Sequence, residues 1–552
     1  MWKKKDTSIS VAEVIERNTG MNETELNAFW ETPITNLTKV ADRLREIAKE
    51  EKTVTVFADY DCDGICSAVI MHLVLKSLKI GFDIKFPKRS KGYGLQTFDV
   101  EQIETPVIIT IDNGIAAFDA IDLAKSKGKE VIVIDHHLKP VEGIPNADII
   151  IDPHVFKENP DDFEDWCGAG LGYRLATLTC SPKAASVALQ FAALATVADV
   201  VPLLKDNRCI LKNGLELLND SNVGSIKRMM SEIYSGSFGK PVVDETAIGF
   251  KISPIINAMG RIEDNAEYVY RYFISNDADM LQHMIEVNEK RKELVKTAEE
   301  RAYSIISEEC LFSEIPIIIY DPHTIEGIVG VVAGRIAEQM QVPVICLTDS
   351  EDKGIIKGSA RSPSINIKEA LDKASDLLLH YGGHAGAAGI SLKKENLDAL
   401  RMRFGEVFAE YETDDNKEEE IIYDLEISAN NIADFLAELK KFAPFGEGNP
   451  SPVFKINDFK LFPRAGDFYK YLGDGNTLKL FGNNCSAIGF DMAQKYNDTG
   501  LAKSLNLIGK IGESHFGKTE TQVELIDFEP ANKEKAQSNL AKELASKLFA
   551  GF

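Results

Sequence analysis

A chain of 552 residues with 44% hydrophobic content is too long for one ordinary domain and apolar enough to fill several cores, so at least three domains are expected. Its formal charge of −24 excludes a general polyanion binder, because nonspecific affinity for nucleic acid comes from neutralising phosphates with Lys and Arg; a local basic channel stays open. No apolar run reaches the roughly 18 residues of a membrane span, and MWKKKDTSIS leads into a polar segment, which excludes a spanning helix and predicts a soluble, cytoplasmic chain with no membrane partner.

In chain order, three continuous apolar strands come first: VTVFAD (54–59), VIITID (107–112) and VIVIDHH (131–137). Between them lie the amphipathic segments SAVIMHLVLKSL and AFDAIDLAKSKG, a pattern that predicts a parallel, doubly wound α/β sheet. Residues 277–308, free of Gly and Pro and highly charged, predict a solvated connecting helix. IPIIIYD and PVICLT then resume the strand and helix alternation of a second, smaller α/β domain. AEYETDDNKEEE (409–420) reads as an acidic surface loop, ANNIADFLAELKKFAP as an amphipathic linker, and PFGEGNPSPVF (444–454) as a turn-rich junction. Short alternating runs beyond it, TLKLF, SAIGF, LNLIGKI and TQVELIDF, predict a small OB-like β domain before a terminal helix. The expected divisions are 1–275, 276–310 (connecting helix), 311–415, 416–450 (helical linker), 451–532 and 533–552 (C-terminal helix).

In a doubly wound sheet ligands collect at the carboxyl ends of the strands. There the chain places Asp59, Asp61 and Asp63, then Asp112, then Asp135, His136 and His137, with Asp199 after a fourth apolar run, ATVADVVPL. Close carboxylates repel and resist desolvation, so they need protons, water or a cation. Aspartate and histidine without cysteine suit manganese or magnesium, and two such ions about 4 Å apart can activate water against a phosphoester. DYDCDG then leaves its strand as a turn that Gly64 permits. A lone aspartate at a strand end is more often a helix cap, and a lone histidine a structural one. Four clusters in succession argue jointly for the cation.

DYDCDG (59–64), TIDNG (110–114), DHH (135–137) and TVADVVPL (196–203) resemble, in order, the motifs of the DHH phosphoesterase superfamily. RSKGYGL, CGAGLGYRL, INAMGRI, GSARS, GGHAGAAG and PFGEGNPSPVF extend the resemblance, over nearly the whole chain, to the bacterial RecJ family of single-strand-specific exonucleases. The resemblance implies that Asp61, Asp63, Asp112, His136 and Asp199 hold two divalent ions, manganese or magnesium, with Asp112 as the bridge and Asp59 in support. It implies that Asp135 orients His136, that His137 contacts the scissile phosphate, and that His384 of GGHAGAAG faces it across a cleft, where Gly382 and Gly383 permit close approach. Ser359, Arg361 and Arg261 resemble receivers of a 5′ phosphate, and Arg89 and Asn257 further substrate contacts. The chain departs from the family pattern at Thr324 and Ile325, where a Trp-His pair is usual, and at Ile255, where arginine is usual.

The implied activity is 5′ to 3′ hydrolysis of single-stranded DNA to mononucleotides in repair and recombination, by a monomer working with single-strand-binding protein and a helicase. An oligoribonuclease or cyclic-dinucleotide phosphodiesterase of the same superfamily is the alternative, disfavoured by the C-terminal domain. A silent replication scaffold is disfavoured by the complete ligand set.

Overall fold

The computed structural model describes residues 1–235, 242–363, 365–408, 420–473, 475–514 and 519–531. The expected C-terminal helix and residues 409–419 of the expected acidic loop lie outside the described residues.

The first sheet is fully parallel: β1 (Val54–Ala58), β2 (Phe82–Lys85), β3 (Val107–Ile111), β4 (Glu130–Ile134) and β5 (Ile149–Ile151), in the order β2-β1-β3-β4-β5. β1 and β3 are buried at every position, since helices cover both faces and each apolar side chain finds a core. The edge strands β2 and β5 extend the three strands expected from sequence. The winding order of the strands reverses between β1 and β3, and that switch point opens a crevice at the strands' carboxyl ends. Asp59 to Asp63 and Asp112 flank it.

The helix after β1, α1 (Cys62–Ser77), is buried along most of its length. Gly64 lies within its first turn, not in a free turn as expected. A Cβ there would stand 2.2 Å from the Asp59 carbonyl oxygen, so glycine serves close approach of helix to strand end. α2 (Gly168–Thr179), α3 (Pro182–Ala198) and α4 (Lys205–Asn219) complete the covering of this face with α5 (Ser253–Ile262).

The connecting helix α6 (Ala278–Glu308) is more than a solvated spacer. Leu281, Met284 and Val287 fill the first core, while Val295, Ala298, Ala302 and Ile306 fill the next one. Their spacing of three or four residues puts an apolar stripe on a charged helix and ties two domains to one rod.

The second sheet comprises β6 (Ile317–Tyr320), β7 (Val344–Asp349), β8 (Ile355–Arg361), β9 (Leu378–Gly383) and β10 (Ala387–Lys393), in the order β9-β10-β8-β7-β6. Only β6 and β7 run parallel. Helix α7 (Glu326–Met340) packs on β7 and β8. The third domain is a seven-stranded sheet from Leu425 to Pro530.

Two expected boundaries are corrected. Leu425–Ser428 is a strand of the third sheet and Ile432–Leu439 is a helix in its core, so that domain starts well before residue 451. Val11, Val14, Ile15 and Leu26 also fill this third core, and Trp2–Lys4 pairs with Ile421–Tyr423. The N-terminal segment therefore belongs with the C-terminal domain, because its apolar face finds that partner. Among the described residues no helix is long and apolar enough to cross a membrane.

Gly64→Ala is expected to cost about 1–3 kcal/mol of stability by overpacking against the Asp59 carbonyl. A lowered urea midpoint would record it, and an unchanged midpoint would show that strand and helix have room to part.

Candidate metal centre

Asp61 caps α1, its Oδ1 accepting from the Asp63 and Gly64 N–H groups at 3.0 and 3.1 Å. The cap reading of a lone aspartate is thus correct here and compatible with a cation role. In the first turn of the helix, the carboxylate of Asp63 accepts from Gly168 N–H at 2.6 Å and Ala169 N–H at 2.7 Å, the first two residues of α2. A helix N-terminus stabilises a carboxylate by its orphan N–H groups and dipole. Gly168 allows this approach, since a Cβ would lie 2.7 Å from Asp112 Cβ. Asp112 follows β3 with φ +60°, and His136 Nε2 lies 3.0 Å from its Oδ1. His136 Nε2 also stands 3.7 Å from both Asp63 and Asp199, the latter capping the C-terminus of α3.

Three overlapping groups result, each with ligand atoms within 4.8 Å of one another: Asp59, Asp61 and Asp112; Asp63, His136 and Asp199; and Asp112, His136 and His137. Asp112 joins the first and third. Burial, then the neighbouring carboxylates, pushes Asp59, Asp112 and Asp199 well above the usual range, and burial with Asp61 pushes Asp63 up to about 7. Asp59 Oδ1 is buried and without a hydrogen-bond partner. A donor set of hard oxygens and one imidazole, crowded enough to resist ionisation and holding an orphaned oxygen, fits divalent cations.

The adjacent histidines divide their roles. Burial and the charge of His137 bring His136 down to about 3, which keeps it neutral, the form that binds metal. Burial opposes charging of His137 too, but Asp135 overrides it and lifts that ring to about 10. The expectation that Asp135 orients the His136 ring is corrected here. Asp135 accepts from His137 Nδ1 at 2.7 Å, and it meets His136 through that residue's backbone N–H at 2.8 Å. It accepts from Ile115 N–H as well, at 2.8 Å. Only the His137 ring can reach that carboxylate, because His136 is turned toward Asp112.

Three participants carried no signal strong enough to be singled out. Tyr93, within RSKGYGL, places its hydroxyl 3.0 Å from His137 Nε2 and donates to the Asp112 carbonyl at 3.2 Å. Asp152 follows the edge strand β5, is 1% exposed, and is pushed up to about 8 by burial and Asp135. Tyr60 lies under Arg89, whose guanidinium carbon is 4.1 Å from the ring centre.

The cationic half lies across the cleft. Arg261 Nη1 donates to the Gly327 carbonyl in the first turn of α7 at 3.3 Å. Arg361 donates to Ser359 Oγ and, at 2.9 Å, to the Ala360 carbonyl; Ser359 Oγ donates to the Ala388 carbonyl at 3.2 Å. Gly330 leaves room for both, since a Cβ there would stand 2.9 Å from Arg361 Nη2. These three expected phosphate contacts therefore meet around the start of one helix. Arg89 lies close enough to Arg261 to lower its basicity after burial, and its Nε is buried without a partner. Asn257, with its Oδ1 likewise orphaned, lines a cleft of about 460 Å³ with Arg261, Arg291, Val200 and Phe445. His384 sits in the turn between β9 and β10, held below its usual range by burial and by His137 and His154. Gly382 is in the last turn-ward pair of β9, and Gly383 has φ +143°, where a Cβ would stand 2.3 Å from the Ala387 carbonyl. At the departures, Ile255 is in the first core, Thr324 is buried and donates to Asp321 at 2.6 Å, and Ile325 is exposed.

Residues 53–198 match the DHH family, N-terminal domain, residues 311–410 the DHHA1 domain, and residues 423–527 the RecJ OB domain. The single-stranded-DNA-specific exonuclease RecJ of Bacillus subtilis (strain 168) is 32% identical over 436 residues, covering 77% of this chain and 54% of that protein. The chain thus spans about half the length of that relative. The RecJ of Haemophilus influenzae is 30% identical over 451 residues, 76% of this chain and 77% of that protein, and the RecJ of Escherichia coli (strain K12) is 30% identical over 452 residues, 76% and 78%. The crystal structure of RecJ in complex with Mn2+ from Thermus thermophilus superposes with a TM-score of 0.76 at 25% identity, covering 94% of this chain and 76% of that one. Matched over three domains in one order, and over three quarters of two full-length relatives, the chain belongs to the RecJ family.

Proposed function

We propose that this chain is a metal-dependent exonuclease that degrades single-stranded DNA from its 5′ end to mononucleotides, in repair and recombination. The observation that carries the chemistry is the overlap of three carboxylate and imidazole groups through Asp112 and His136. The substrate class comes from the relatives' names, and the grouping of Arg261, Arg361 and Ser359 around the start of α7 supports it. Asp59, Asp61, Asp63, Asp112, His136 and Asp199 would hold two divalent ions, manganese or magnesium. When bound, such a pair supplies water activation and charge neutralisation at a phosphodiester.

The side chains supply the rest. Asp63, fixed by two N–H groups of α2, and Asp61, fixed as a cap, present their oxygens without reorganising. His137, kept cationic by Asp135, has its Nε2–H on the Tyr93 hydroxyl, and turns that donor to a nonbridging oxygen of the scissile phosphate as negative charge grows there. His384 closes on the same phosphate from the opposite wall. Arg261, Arg361 and Ser359 take the 5′ phosphate, with Arg89 and Asn257 beside them, so the bond presented for cleavage is set by distance from the strand's end. Exposed Phe462, Tyr471 and Phe490 of the third domain offer faces on which bases of the trailing strand stack. A cytoplasmic monomer, served by single-strand-binding protein and a helicase, accords with this reading.

With manganese, single-stranded DNA is expected to be cut to mononucleotides from the 5′ end, with duplex DNA and RNA dinucleotides much poorer substrates. Asp112→Ala is expected to lower the rate by more than about 100-fold, beyond the usual cost of losing a partner one layer out from a metal. Release of label from the 3′ end first, or hydrolysis of dinucleotides alone, would end the proposal.

A pH experiment tests the metal fit separately. Asp63 has its folded pKa raised from 3.8 to about 7, so the folded state holds the extra proton between those values and metal-free stability falls as pH rises from about 4 to about 7. In chelator, the melting temperature of the parent is expected to fall relative to Asp63→Asn across that window. Saturating Mn2+ at pH 7.5 is expected to restore the parent and not the variant. A difference that does not change with pH would show that the Asp63 charge is not desolvated.

A further inference from the structure

The loop PFGEGNP, read from sequence only as a junction, packs directly against the segment that carries Asp199. Leu203 N–H donates to the Glu447 carbonyl at 2.8 Å. A Cβ on Gly446 would stand 2.7 Å from Leu203 Cδ1, and one on Gly448, where φ is +70°, would stand 3.0 Å from Pro202 Cβ. Asp199 itself ends α3, and Val200 has φ +58°, so the turn from Asp199 to Leu203 has no helix or strand of its own to fix it.

The loop is itself fixed by Arg208 on α4. Arg208 is 2% exposed, and its guanidinium donates to three consecutive carbonyls, Phe442 at 3.0 Å, Ala443 at 2.8 Å and Pro444 at 3.1 Å, and to Asn27 Oδ1 at 3.4 Å. The same loop is braced from inside by Asn449 Nδ2, which donates to the Phe442 and Pro444 carbonyls at 3.0 and 2.9 Å. The neighbouring Asn207 donates to the Pro202 carbonyl at 3.0 Å, so one turn of α4 holds both the loop and the segment that the loop supports. A buried arginine with carbonyl partners and no paired carboxylate among its hydrogen bonds is costly to place. Burial lowers its pKa to about 10, which leaves it a cation at neutral pH.

We infer that Arg208 is a positioning residue for the metal centre: through residues 442–448 it holds the Asp199–Leu203 turn, so a loop of the third domain sets where Asp199 presents its carboxylate. The inference rests on the reading of Asp199 as a metal ligand. The loop adds its support from outside the first domain, and an enzyme cut before residue 442 lacks that brace.

The test is Mn2+ binding, followed by electron paramagnetic resonance of the free ion, on the full chain and on Asp199→Ala, Arg208→Met, Arg208→Lys and Gly448→Ala. Arg208→Met and Gly448→Ala are expected to weaken one class of bound ion about 10-fold, as loss of an outer support of a metal ligand does, and Arg208→Lys, which keeps a cationic donor, is expected to recover part of the loss. If Arg208→Met does not fold, Gly448→Ala decides on the same criterion. A lowered melting temperature with Mn2+ affinity within about twofold of the parent, while Asp199→Ala binds weakly, would overturn the inference and leave the metal centre intact. Unchanged binding by Asp199→Ala would instead remove the ligand assignment, and the inference with it.

Discussion

Asp59, Asp63 and Asp112 are each no more than 3% exposed, and their carboxylates share one crevice. Two like charges about 4 Å apart near a protein surface repel by about 4 kcal/mol, and desolvation adds to that. No fold gathers such groups for stability. The main chain answers part of the demand, with N–H groups from α1 and α2 directed at Asp61 and Asp63. The rest falls to protons in the metal-free protein and to cations in the working one. Most of the surrounding design stems from this constraint, including the glycine at 168 that lets a helix end come close and the neutral His136 beside a charged His137.

The paired histidines show how one short segment does two jobs. A cation next to a metal site would normally be repelled by the metal, so His137 needs its own counter-ion. Asp135 supplies it, and Ile115 N–H together with two backbone N–H groups of the pair hold that carboxylate in place. Burial, and after it the charge of His137, holds His136 uncharged. The sequence order Asp-His-His is therefore an electrostatic sorting device: acid, neutral ring, charged ring.

The acids were legible because parallel strands buried on both faces read as unbroken apolar runs, and the residues after each run must lie at one end of the sheet. Asp59 to Asp63, Asp112 and Asp135 to His137 could be placed together on that ground alone. The edge strands were not legible: Phe82–Lys85 alternates polar with apolar over four residues, and Ile149–Ile151 is only three long, so Asp152 behind it passed unnoticed. Which imidazole faces Asp135 is a matter of side-chain rotation that spacing does not encode. The N-terminal helix joined the third core across more than 400 residues of sequence, as Arg17 bonded to Asp424 shows, and a pairing of that range leaves no local pattern. The bond from Leu203 N–H to the Glu447 carbonyl was hidden for the same reason.

The net charge of −24 acquires a different meaning once the cations are located. An acidic surface gives little nonspecific grip on a polyanion, and affinity that grew with strand length would need a long basic track. Arg89, Arg261 and Arg361 are instead concentrated near the start of α7, and the last two are largely desolvated, where a guanidinium interacts more strongly with phosphate than it does in water. Under the proposed function such an arrangement would favour a strand end over a strand interior, because only an end carries a terminal phosphate for these grouped guanidinium groups to receive. The acidic remainder then contributes to specificity by declining to hold anything else. Under the proposed function, a preference for ends would reside in where these guanidinium groups are buried, with the overall charge as the background that keeps it sharp.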